Sequence, residues 1–211
     1  MAQVLYEMTS VTTKDLSNGY EAAATEFIAS RSHSNVGVEV VRNWAKALPS
    51  GATVLDLGCG HGVPISQALI DEGFGLYGID ASPTMIAAFR SRFPRVLVEC
   101  GAAEDSDFFG RIFDGVLAWG LMFLLEPRAQ ANLIHKVAAS LKPGSLFLFT
   151  APQRPCEWTD IITGNKSVSL GRDGYLMALR ASGLALASEA DDEGENHYFF
   201  VHKPNGDGRA I

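Results

Sequence analysis

Between positions 53 and 150 short apolar runs take turns with stretches where apolar residues return every three or four positions. That change of period predicts strands and helices in alternation. Strands are expected at 53–57, 76–79, 96–100, 113–119 and 146–150, with helices at 63–72, 82–91 and 130–140. Pro64 sits where a helix start has no use for its missing N–H, and Ser82-Pro83 reads as an N-cap followed by a first-turn proline. The fourth and fifth runs are apolar at nearly every position, as in a parallel sheet covered on both faces.

The flanks follow other rules. From 17 to 48 the pattern is helical: Ala22, Ala23, Phe27 and Ile28 share one face, and Val38, Val41, Trp44, Ala45 and Leu48 another. Pro49-Ser50-Gly51 breaks it. After Thr150 the rhythm fails, and 151–170 reads as irregular. A helix at 175–182 and strands at 184–187 and 197–202 follow. An acidic link at 191–195 makes those strands antiparallel neighbours. The expected architecture is α/β, a doubly wound and mostly parallel sheet with helices on both faces and an antiparallel last strand. Residues 17–203 are expected to form one domain, with an N-terminal helical part (17–50) and an irregular segment with its helix (151–182); 1–16 is a mobile lead and 204–211 a disordered tail. A ligand crevice belongs at the carboxyl ends of the strands, where the first and fourth diverge.

Chemistry concentrates at that crevice. Val54-Leu55-Asp56-Leu57-Gly58-Cys59-Gly60-His61-Gly62 carries a strand into a carboxylate and a glycine turn, and Gly78-Ile79-Asp80 ends the second strand on another carboxylate 24 positions later. Bare backbone lets a ligand approach and leaves amides free at a helix start, while an acid at the second strand's end suits a ribose diol. A dinucleotide fingerprint would need glycine at position 63, which is Val63. Asp56 at the mouth of the loop would repel a pyrophosphate. A ligand with positive charge near the glycines fits better.

At these residues the chain resembles the class I S-adenosylmethionine-dependent methyltransferases, whose first motif, acidic-x-Gly-x-Gly-x-Gly, is matched by Asp56, Gly58, Gly60 and Gly62. The resemblance spans about residues 17–203 and is closest over 52–150. It implies a Rossmann-like seven-stranded sheet, S-adenosylmethionine as cofactor, S-adenosylhomocysteine as product, and methylation of a small-molecule O, N or S nucleophile. Gly58 and Gly60 would line the methionine part, with Asp56 fixing the loop or the ammonium. Asp80 would accept both ribose hydroxyls, its competing reading being a helix N-terminal acid. Ile79, Ala81 and Met85 would pack on the adenine, Ala103 and Glu104 meet its edge, and Trp119 cover the cofactor, although core packing explains Met85 nearly as well. Cys59 is a small filler beside the ligand or a reactive thiol. Tyr20 and Arg31 sit where related enzymes fold a lid over the methionine carboxylate, so the resemblance implies that 17–50 is a helical lid and 151–182 a substrate cover.

The acceptor side is less defined. His197 is the candidate base, and His33, Trp158, Asn196 and Tyr198 are candidates for the substrate pocket. His61 and His202 are weaker bases, and His135 reads as structural. Trp158 is either an aromatic wall or a plug under its loop. No Asp-Asn pair accompanies Asp114 as a catechol-type metal site would need, so no metal is expected. Rival readings are a non-catalytic S-adenosylmethionine-binding or regulatory protein, and a nicotinamide-dependent oxidoreductase. With 17 basic against 24 acidic residues the net charge is −7, and the basic residues are scattered. That field disfavours nucleic acid, as does the absence of Asp-Pro-Pro-Tyr after the fourth strand. Three cysteines without metal-ligand spacing suit a reducing cytoplasm. Neither a signal peptide nor a membrane span is evident; a monomer or homodimer is expected.

Overall fold

A computed structural model describes residues 15–205, so most of the predicted lead and tail lies outside the described residues. Seven strands form one sheet: β1 (Thr53–Leu57), β2 (Gly75–Asp80), β3 (Leu97–Cys100), β4 (Phe113–Ala118), β5 (Leu141–Thr150), β8 (Ala185–Asp191) and β9 (His197–His202). Their order is β3-β2-β1-β4-β5-β9-β8. β1 to β5 run parallel, and β9 is antiparallel to both its neighbours. The sheet is the mostly parallel, doubly wound one expected, and its strand order departs from β1 in opposite directions toward β2 and β4.

Helices cover both faces because both faces are apolar. Along β5, Phe147 and Phe149 join one core with Leu133, Val137, Tyr175 and Phe199, while Leu148 between them joins the other with Val41, Trp44, Leu69 and Phe89. The first core is roofed by α5 (Pro127–Ser140) and α6 (Gly171–Ala181), the second by α2 (Val38–Ala45), α3 (Ile65–Asp71) and α4 (Pro83–Arg92). The aromatic centre of the first core is Phe149 stacked on Phe199 at 4.7 Å with Tyr175 set at an angle to both. Ser82 caps α4 as expected, its hydroxyl accepting from the Met85 amide.

Four local expectations are corrected. The helical stretch expected from 17 starts only at Ala24, after turns, and holds α1 (Ala24–Arg31) and α2, parted where Gly37 takes a left-handed φ of 83° and the next helix begins. The irregular 151–170 contains a hairpin, β6 (Cys156–Thr159) and β7 (Lys166–Ser169), paired antiparallel. Those strands are four residues long and largely polar, so they leave no apolar period to read. β5 starts at Leu141, with 142–144 exposed at a register shift against β4 instead of forming a separate turn. Helix α6 begins at Gly171, four residues before Tyr175.

Truncating Phe199 to alanine should cost about 3–5 kcal/mol of unfolding free energy, because the stacked aromatic core cannot collapse into the space. Urea unfolding of Phe199→Ala measures it; a loss under about 1 kcal/mol would show that this core is not closely packed.

Candidate functional site

The end of β2 organises the site. The Ile79 carbonyl accepts the Gly58 and Cys59 amides at 2.8 and 3.0 Å, drawing the glycine loop across the strand end. Asp80 Oδ2 accepts the Gly60 amide and Oδ1 the Ser82 amide, both at 2.8 Å. The Asp80 carbonyl takes the Gly101 amide at 2.9 Å, which fixes the exit of β3. Two glycines are required, one by its backbone angle and one by crowding. Gly60 has φ of 54°, in the left-handed region that side chains rarely adopt, and it borders open space beside the loop. A Cβ on Gly62 would lie 2.6 Å from the Phe93 ring, so this position lets α4 pack against the loop.

Asp56 is buried in β1, where Ser66 Oγ of α3 donates to it at 2.5 Å. Burial pushes its carboxyl up from 3.8 to about 7, and the neighbouring Asp80 charge acts in the same direction against the Ser66 hydrogen bond. Burial also raises Asp80, its two amide bonds opposing. Arg31 lies over the Trp119 ring at 4.4 Å and donates to Ser34. Trp119 Nε1 donates to the Tyr198 hydroxyl at 2.6 Å, and that hydroxyl donates to Asp192 at 2.7 Å.

The segment before α1 straps over this floor. Glu21 accepts from the Ser82 hydroxyl, the Thr84 amide (3.1 Å) and the Thr84 hydroxyl (2.7 Å), placing an acid at the start of α4. Tyr20 donates to Asp160 of the β6–β7 connection at 3.2 Å. Burial first, then Asp160, hold its phenol well above the ordinary range, so it stays a donor.

Together these elements enclose a cavity of about 490 Å³. All twelve residues expected at the cofactor line it: Tyr20, Arg31, Asp56, Gly58, Cys59, Gly60, Asp80, Ala81, Met85, Ala103, Glu104 and Trp119. Ile79 and, of the acceptor-side candidates, Trp158 and Asn196 line it too. His33, His197 and Tyr198 are not among its lining residues. His33 is exposed. His197 is held between Asp191 (2.7 Å) and Glu189 (3.1 Å), with its ring edge-on to Phe199. It shares the Phe199 side of β9, and Phe199 belongs to the core under α6. The candidate base is therefore turned away from the crevice. Tyr198 is buried behind Trp119. His61 lines the cavity, with Nε2 enclosed and unpartnered, and burial lowers its pKa. His135 is exposed, and Asp114 is occupied by Thr53 and Lys142.

Sequence reasoning passed over Phe27, Leu121, Phe123, Leu125, Asp160 and Ile162, all in the lining. Leu121, Phe123 and Leu125 fall in one apolar run just after β4, which is the signal the sequence carries for them. Among the described residues no helix is long and apolar enough to cross a membrane.

Residues 54–144 match the family described as "Methyltransferase domain". An uncharacterized methyltransferase of Synechocystis sp. is 32% identical over 112 residues, covering 53% of this chain and 52% of that protein. The chain spans about half the length of the curated relatives it matches. Among solved structures, the 1,6-didemethyltoxoflavin-N1-methyltransferase of Burkholderia thailandensis, with 1,6-didemethyltoxoflavin and S-adenosylhomocysteine bound, superposes with a TM-score of 0.69 at 17% identity, covering 90% of this chain and 91% of that one. The cyclase SpnF gives 0.72 at 16% identity over 90% and 96%. At that identity the likeness is one of fold.

The raised Asp56 carboxyl predicts a pH dependence. From pH 3.8 to about 7 the folded chain keeps a proton that the unfolded chain has released, so this group's contribution to stability falls as pH rises through that window. Asp56→Asn can still accept from Ser66 but has no such slope. Its stability relative to wild type should therefore increase between pH 5 and 7.5 in urea unfolding; parallel pH profiles would contradict the buried, protonated carboxyl.

Proposed function

We propose that this chain, with a class I methyltransferase fold and a methyltransferase domain over 54–144, binds S-adenosylmethionine and methylates a small molecule at an O, N or S atom. The observation that carries the reading is the charge of the cavity: Asp80, Glu104 and Asp160 line it with one arginine, Arg31. That suits a ligand with a cationic centre, a diol and one carboxylate. A dinucleotide would set its diphosphate among those acids.

The residues present fit the cofactor. Each Asp80 oxygen accepts one amide and keeps a lone pair for a ribose hydroxyl. Ala81 and Met85 give the adenine an apolar surface, with Ala103 and Glu104 at its edge. Arg31, half-withdrawn from water on the Trp119 face, is placed for the amino-acid carboxylate. When bound, the sulfonium supplies both the electrophilic methyl group and its leaving group. The chain's own task is then alignment and exclusion of water. The β4 end, the strap at Tyr20 and the β6–β7 hairpin enclose the space for it. We also assign 17–203 to one domain, with α1, α2 and the hairpin as its lid, and place the protein in the cytoplasm on the strength of three free thiols.

A protein that carries this fold without transferring a methyl group is the second reading, since a cyclase shares it; a methyl-transfer assay separates it from the first. For the cofactor itself, titration calorimetry with S-adenosylhomocysteine should show binding that weakens roughly 100-fold in Asp80→Ala, as expected for two lost hydrogen bonds to a charged acceptor. Unchanged affinity in the variant would remove the ribose role.

A further inference from the structure

The lining divides in two. The glycine loop and the ends of β2 and β3 form one part; α1, the segment after β4 and the β6–β7 hairpin form the other. On the second part Phe123 and Trp158 face each other with ring centroids 5.4 Å apart, tilted at 46°. Phe27, Leu121, Leu125 and Ile162 complete an apolar wall.

The polar groups on this side are already engaged. Asp160 Oδ1 accepts the Ile162 and Thr163 amides at 2.8 and 2.9 Å, and Oδ2 accepts from Tyr20. The Asn196 amide nitrogen is turned to both oxygens of Asp192, at 3.0 and 2.9 Å. Arg31 is the one arginine or lysine in the lining, and the cofactor's carboxylate claims it. An acceptor bearing its own carboxylate or phosphate would meet Asp160 with no cation left to pair it. An aromatic or fused-ring body would fill the slot beside Trp158 and Phe123 by dispersion and ring stacking, and a cationic group would be favoured by those ring faces.

We infer that the methyl acceptor is a ring-bearing apolar molecule, neutral or cationic, without carboxylate or phosphate. The inference rests on the cofactor placement proposed above. Exclusion here works through repulsion as much as attraction.

A matched set of probes tests it: phenethylamine, 2-phenylethanol and 3-phenylpropionate, titrated calorimetrically into protein saturated with S-adenosylhomocysteine. The amine and the alcohol should bind, and the carboxylate should bind at least about tenfold more weakly. Trp158→Ala should lose at least about tenfold for the amine while its affinity for S-adenosylhomocysteine stays at the wild-type value, which also shows that the variant is folded. The inference is overturned by a carboxylate that binds as tightly as the amine, by an unaffected Trp158→Ala, or by silence from all three probes in protein that binds S-adenosylhomocysteine. No binding of S-adenosylhomocysteine would overturn the cofactor reading and this inference together.

Discussion

A single residue, Asp80, sets the constraint from which the site is built. Its side chain ties down the middle of the glycine loop and the first turn of α4, while its own carbonyl holds the exit of β3. A carboxylate taken out of water is costly, and burial accordingly raises its pKa. The amides that relieve this cost are the same ones that give the loop its shape. Stability and pre-organisation thus come from one arrangement: the loop closes on a charge, and the charge still has lone pairs to offer a ligand. Ile79 beside it repeats the device in the main chain by accepting two loop amides.

Around that fixed point the molecule separates rigid from adaptable parts. The strands beneath are locked by two cores, one of them centred on stacked aromatic rings. The cover is made of short elements joined by few bonds: Glu21 to the start of α4, Tyr20 to Asp160, Asn18 to the Lys166 carbonyl. Loops on a rigid frame are where binding specificity can vary at little cost to the fold. The apolar ring wall and Asp160 belong to this cover, while Asp56 and Asp80 belong to the frame.

How much of this was legible in the sequence depended on the distance over which each feature is encoded. The glycine loop, Asp56 and Asp80 sit in contiguous motifs, and period alone fixed β1 and β9 to the residue. Alternation in β9 shows that His197 and Tyr198 point to opposite sides, but not which side each takes. That is decided by Phe199, which shares the His197 face and packs on Tyr175 of a helix 24 positions away. The hairpin at 156–169 was hidden for another reason: its polar strands draw their order from pairing with each other and from the bond between Asp160 and Tyr20. Asp160, joined to Tyr20 across 140 residues, could not be seen as lining before the chain was folded.

The central claim is that Asp80 and the loop it shapes hold the nucleoside of S-adenosylmethionine. A crystal structure of the complex with S-adenosylhomocysteine tests it most directly. Both ribose hydroxyls should lie about 2.5–3.0 Å from the Asp80 carboxylate, with the amino-acid carboxylate against Arg31. A nucleoside bound away from Asp80, or a cavity that takes up a dinucleotide in preference, would contradict the account.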